Sequence, residues 1–156
     1  MGLKKLFAAA AVAAMFAGML IAAPAQAVEI GNEGCTPGYW KNHTDNWEEY
    51  TTASKLSNNF ELGAFEAKYG DTTFLEALKF KGGPGAEGAF RNLMRATVAA
   101  FLNAAHEGLG YPLRRFNDPG NMQDTVNAAL ASGKRGTMLD LAAEYDANNN
   151  LGCPLN

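Results

Sequence analysis

The chain has 156 residues, 47% hydrophobic and 19% charged, with a formal net charge of −3, two cysteines and two histidines. That apolar content is too high, and the net charge too low, for a disordered chain, and the length is that of one domain. Acids outnumber bases 16 to 13, which excludes the basic stripe that grips nucleic acid, so no nucleic-acid partner is expected.

Residues Met1 to Ala27 read as a secretory signal peptide. Lys4 and Lys5 supply the positive start, an apolar run from Leu6 to Ala23 follows, and Ala25-Gln26-Ala27 gives the small-x-small cleavage pattern. The run is long enough to be taken for a membrane span, but its alanine-rich composition and the cleavage site favour a leader. Removing these 27 of the 156 residues leaves 129, takes away two lysines and no acid, and moves the charge from −3 to −5. Residues 28–156 contain no second apolar segment of spanning length and are expected as a single secreted domain, periplasmic or released. Such a domain can bury roughly two-thirds of its unfolded surface.

Both cysteines survive cleavage, at Cys35 and Cys153, near the two mature ends. In an oxidising compartment an even pair reads as a disulfide, and chain termini often lie close in space. The competing reading is a metal-binding or nucleophilic cysteine.

Gly31, Gly34, Pro37 and Gly38 punctuate an irregular lead-in over 28–38. A short helix is predicted from Asn42 to Tyr50, capped by Thr44 or Asp45. The mixed, polar stretch from Thr51 to Gly70 reads as loop with at most one helical turn. A helix from Thr73 to Phe80 follows, capped by Asp71-Thr72 and broken by Gly82-Gly83-Pro84-Gly85. The long helix is predicted over Ala86 to Glu107, with Phe90, Leu93, Met94, Thr97, Phe101, Ala104 and Ala105 at i, i+3, i+4, i+7 spacing. It is the expected centre of the core. Asp118-Pro119 reads as a cap and first-turn proline for a helix to about Ala131. Thr137 to Asp140 opens a last helix, which Asn148-Asn149-Asn150 and Gly152 stop at Tyr145 or Ala147. Strand patterns are almost absent, so the fold class is all-α: a small irregular bundle of four or five helices closed by one terminal disulfide.

The densest segment runs from Gly34 to His43, with Trp47 following. Both tryptophans, two of the five tyrosines and one of the two histidines fall between positions 39 and 50. One reading is an aromatic ligand-binding patch of Tyr39, Trp40, Asn42, His43 and Trp47, with rings that stack on sugars and polar groups that direct hydrogen bonds. The other is that Trp40 and Trp47 pin the irregular segment onto the helices. CTPGYWKNH over 35–43, FLNAAH over 101–106 with Tyr111-Pro112, and NNLGCPL over 149–155 occur together here. In these motifs the chain resembles a group of secreted bacterial proteins of uncharacterised activity. The resemblance implies secretion, a bond between the first and last motifs, and occurrence alone or beside other extracellular modules. It carries no activity.

His43 and His106, with Asp45, Glu48, Glu49 and Glu107 near them in sequence, are the residues from which a metal site would be drawn. Their spacing matches no metal motif, and histidines near helix ends commonly bond to backbone, so neither a metal nor a cofactor is expected. Asp146-x-Asn148-x-Asn150 imitates half an EF-hand loop, but Leu151 stands where glycine is required and the loop overruns the chain. Gly83-Pro84-Gly85-Ala86-Glu87-Gly88 fits G-x-G-x-x-G, yet follows a helix rather than a strand. The mature serines lack a nucleophile motif. Glu48 or Glu49 beside Trp47 has the neighbours of a general acid. The leading expectation is a non-enzymatic extracellular or cell-surface module that self-associates or binds a glycan or protein. The alternative is a secreted hydrolase of cell-wall or polysaccharide substrates, metal-assisted through His43.

Overall fold

The strongest periodic stretch in the sequence forms the longest helix, and the other elements pack around it. A computed structural model describes residues 32–155. The expected signal peptide and the start of the lead-in lie outside the described residues. Six α-helices occur among them: α1 (Pro37–Asn42), α2 (Glu66–Tyr69), α3 (Phe74–Ala77), α4 (Gly85–Ala105), α5 (Met122–Ser132) and α6 (Arg135–Asn149). Single 3-10 turns lie at Thr44–Asn46, Leu56–Asn58 and Gly63–Phe65, and the only sheet-like pairing among the described residues is two isolated bridges. The protein is a small all-α fold, and none of these helices is long and apolar enough to cross a membrane.

α4 is buried on nearly every side. Phe90, Leu93, Met94, Thr97, Phe101 and Ala105 are in the core as their spacing predicts, but so are Ala96, Val98, Ala99, Ala100, Leu102 and Asn103, while Ala104 is only half-buried. Its neighbours account for this, since α1, α3, α5 and α6 all pack on it. The alanines let α6, the most extensive neighbour, approach closely.

The N-terminal half differs from the sequence expectation. α1 begins at Pro37, five residues before the predicted Asn42, because Thr36 caps it by accepting the Tyr39 N–H at 3.1 Å and Pro37 stands at the first helical position. Trp47 is extended, and from there to Tyr50 the chain is irregular rather than helical. The stretch read as polar loop, 51–70, carries core anchors: Leu56, Phe60, Leu62 and Tyr69 are all buried. Phe60 meets Phe101 edge-on at 4.8 Å, and Tyr69 and Phe65 lie against Phe90 at 4.6 and 4.4 Å.

Boundaries move for local reasons further on. α3 is capped by Thr73 and Glu76 in a reciprocal capping box, and only one turn follows. α5 opens at Met122 rather than Asp118, because Gly120 takes a left-handed φ of 74° that interrupts any helix from Pro119. Asn121 then supplies the cap. α6 starts at Arg135, whose guanidinium donates to the carbonyls of Gly83 and Gly85 at 3.1 and 2.6 Å, and it runs on through Asn149. Asn148 and Asn150 donate to the carbonyls of Glu144 and Asp146, so the asparagines close a helix rather than open a calcium loop.

Within the G-x-G-x-x-G stretch, Gly88 serves packing. A Cβ on Gly88 would run into the Gly83 carbonyl, whereas one on Gly136 would meet open space. Alanine favours a helix over glycine by up to about 1 kcal/mol. Thermal unfolding should therefore find Gly136→Ala stabilised within that range and Gly88→Ala destabilised despite the same propensity gain.

Candidate functional site

The residues that stand out in sequence meet at one end of α4. Cys35 and Cys153 are disulfide-bonded across a separation of 118 positions, with Cα atoms 4.5 Å apart. Beside the bond, the Gly34 N–H donates to the Gly152 carbonyl at 3.0 Å. The pair is therefore structural, and neither cysteine is free to bind metal or attack a substrate.

Beneath the disulfide lies a buried polar knot. Asn103 is fully buried on α4 and uses its whole amide. Its Oδ1 accepts from the Cys35 N–H at 2.8 Å and the Trp40 indole N–H at 3.0 Å, while its Nδ2 donates to the Cys35 carbonyl and to Asn149 Oδ1, both at 2.9 Å. Asn149, also fully buried, accepts a second bond from the Tyr111 hydroxyl and donates to the Ala96 carbonyl, each at 2.9 Å. Burial pushes the Tyr111 phenol far above its ordinary range, which keeps it a neutral donor. A satisfied network of this kind fixes geometry strongly, because any member left without a partner is costly. It also joins all the sequence motifs: CTPGYW through Cys35 and Trp40, FLNAAH through Asn103, the following Tyr111, and NNLGCP through Asn149.

The expected aromatic patch divides between interior and surface. Trp40 is 0% exposed and offers no ring face to solvent, and Tyr39 is buried. The Tyr39 hydroxyl donates to the Leu155 carbonyl, which ties down that residue, and accepts from Asn46. Trp47 is half-buried, with its indole N–H on the Trp40 carbonyl at 2.9 Å. Asn42 and His43 are exposed. Asn42 bonds to the Gly38 carbonyl, and the His43 ring stacks on Tyr39 at 4.2 Å with its Nδ1 on the Tyr39 carbonyl. A carbonyl can only accept, so His43 Nδ1 carries the proton.

Of the candidate acids and histidines, Glu48 and His106 come together. Glu48 Oε2 accepts the Glu107 N–H at 2.6 Å, and its Oε1 lies 3.6 Å from His106 Nε2. His106 Nδ1 accepts from the Gly108 N–H, which places the ring proton on Nε2, and the ring lies 5.9 Å from that of Trp40. Glu49 goes elsewhere, into a two-pronged pair with Arg115 at 2.8 Å on each side, although its φ of 61° is unfavourable for a residue with a Cβ. Among the described residues no three His, Cys, Asp or Glu side chains gather as a metal-ligand set.

Hydrogen bonding from Arg115 holds the Glu49 carboxyl below its ordinary 4.5. A lowered acid stabilises the fold above its unfolded value and stops doing so as pH falls through the folded one. Glu49→Gln should therefore lower the melting temperature at neutral pH, and the gap to the parent should close on titration below pH 4. A gap that persists there would show that charge is not its source.

An open cleft of about 530 Å³ lies beside the knot. Thr36, Pro37, Gly38 and Lys41 line it from the start of α1, Leu78, Lys79 and Phe80 from the turn after α3, Arg95 from α4, and Asp146 and Asn150 from the end of α6. Arg95 Nη2 stands 3.8 Å from Asp146 Oδ2. Burial raises the Asp146 carboxyl above its ordinary 3.8, with Arg95 pulling it partly back. Smaller clefts of about 320 and 210 Å³ lie at Ser57–Glu61 with Gln123, Asp124 and Asn127, and at Arg114–Asn117 with Ala104. None of the three includes Trp40, His43, Trp47 or Glu48. Lys41, Lys79, Arg95 and Asp146 come from four separate segments, and nothing local in the sequence marks them as neighbours. Comparison with family models, with curated proteins and with solved structures gives no match to this chain.

Proposed function

We propose that the chain is a non-catalytic module that is exported from the cell and binds a ligand at or beyond the cell surface, as a member of the secreted bacterial group its motifs resemble. The observation that carries this reading is the convergence of those motifs on one knot. Their tryptophan, asparagines and cysteines hold the segments around Cys35 and Cys153 against α4, and a bond of this kind persists in an oxidising compartment. Large apolar side chains exposed among the described residues are limited to Phe116 and Leu151. That is little surface for self-association, so a polar ligand is favoured over a second copy.

A secreted hydrolase is the second reading, and the meeting of Glu48 with His106 beside Trp40 favours it. Glu49 weakens it, since Arg115 keeps that carboxylate ionised and occupied. Reducing-end assays on cell-wall and plant polysaccharides, with protein purified from a secreting host, separate the two. The module reading expects background turnover and no free thiol. Cleavage that disappears in Glu48→Gln would overturn it.

A further inference from the structure

The geometry points to the cleft between α1, the turn after α3, α4 and the end of α6 as a site for an acidic saccharide, a hydroxyl-bearing ring that carries a carboxylate. The inference deepens the binding-module reading and rests on it for a ligand found outside the cell.

Charge is the first argument. The chain carries a net charge of −3, and among the described residues four of the cations outside the cleft are held by acids or carbonyls. Lys55 pairs with Asp71 at 2.6 Å, Lys68 with Glu87 at 2.7 Å and Arg115 with Glu49 at 2.8 Å, while Arg135 is taken up by backbone carbonyls. Lys41 and Lys79 are exposed and have no acid within ion-pair distance among the described residues. Glu76, whose carboxyl feels the Lys79 charge, is already bonded to the N–H and hydroxyl of Thr73. The Arg95 side chain makes no hydrogen bond among the described residues. Its Nε is buried without a partner, and its contact with Asp146 at 3.8 Å exceeds hydrogen-bond length. A planar fork held only by one long ion pair, on a cleft that two lysines also line, suits a carboxylate, which it can grip with two parallel bonds.

The remaining walls argue for a sugar rather than a bare anion. Asp146 can accept hydrogen bonds from the hydroxyls of a ring, and the side-chain groups of Thr36 and Asn150 line the same cleft. Pro37, Leu78 and Phe80 supply apolar surface for a ring face. The volume of about 530 Å³ falls in the usual range for small-ligand sites.

Titration calorimetry on the disulfide-bonded protein tests this with three probes: trigalacturonate, its neutral methyl ester, and inorganic phosphate. Trigalacturonate should bind, should weaken in high salt, and should lose at least tenfold in affinity in Arg95→Gln and in the surface double variant Lys41→Ala/Lys79→Ala. The double variant changes only exposed side chains, so an unaltered melting temperature will certify its fold. The methyl ester should not bind measurably. Phosphate binding as tight as trigalacturonate, with the same Arg95 dependence, would overturn the saccharide assignment in favour of a simple anion site. No binding by any probe, or binding indifferent to both variants, would overturn the site itself. That failure would leave the module reading standing, because the module reading falls to polysaccharide turnover and not to an empty cleft.

Discussion

Replacing Asn103 by leucine is expected to destabilise the fold by roughly 4 to 6 kcal/mol, more than most single substitutions achieve. The side chains are similar in size, so the loss comes from the partners rather than from a cavity. The Cys35 N–H, the Cys35 carbonyl, the Trp40 indole N–H and Asn149 Oδ1 each lose a bond. Asn149 Oδ1 keeps the Tyr111 hydroxyl, but the other three have no second partner among the described residues. Each buried group left unpaired costs about 1 to 3 kcal/mol. A domain of ordinary stability holds only about 5 to 15 kcal/mol in all, so a large part of the margin rests on one amide. Urea unfolding of Asn103→Leu beside Ala104→Leu, a neighbouring half-buried site, separates this from a general intolerance of α4. A change below about 1 kcal/mol at Asn103 would mean that the knot contributes little.

Removing the disulfide in Cys35→Ala/Cys153→Ala is expected to cost about 4 to 5 kcal/mol, the loop-entropy value for a crosslink spanning 118 positions. The effect acts on the unfolded chain, so it persists even though Asn103 and the Gly34–Gly152 pairing still hold the two crosslinked segments together in the folded one. The unfolded variant should also expose more surface, giving a steeper urea dependence than the parent. Cys35 belongs to both the disulfide and the knot, so the two losses should not add when combined with Asn103→Leu. A variant that unfolds at the parental urea concentration would show that the crosslink does not stabilise.

The parts legible in the sequence were those encoded by period and punctuation. α4 announced itself through Phe90, Leu93, Met94, Thr97 and Phe101 between glycine-rich breaks, and the two cysteines announced their bond. What stayed hidden depended on tertiary partners. Leu56, Phe60, Leu62 and Tyr69 follow neither a helical nor a strand period, so their segment looked polar, although each is buried. Thr36-Pro37 was a cap and first-turn proline in plain view, obscured by the glycines around it. Asn103 left one trace, a lone amide among the buried apolar residues of α4, and only the position of Asn149 and Trp40 gives that amide its meaning. The Glu48–His106 contact joins residues far apart in sequence, as do the four cationic and acidic side chains of the cleft. Such sites are assembled by packing, and no window of sequence contains them.

Native-state hydrogen exchange at the Trp40 indole N–H and the Cys35 amide tests most directly the claim that these motifs form a buried knot. Both donors point at Asn103 Oδ1 inside the fold, so both should exchange only when the whole molecule unfolds, with an opening free energy equal to the global stability. Exchange of either group at the rate of an exposed donor, while the rest of α4 stays protected, would contradict the account.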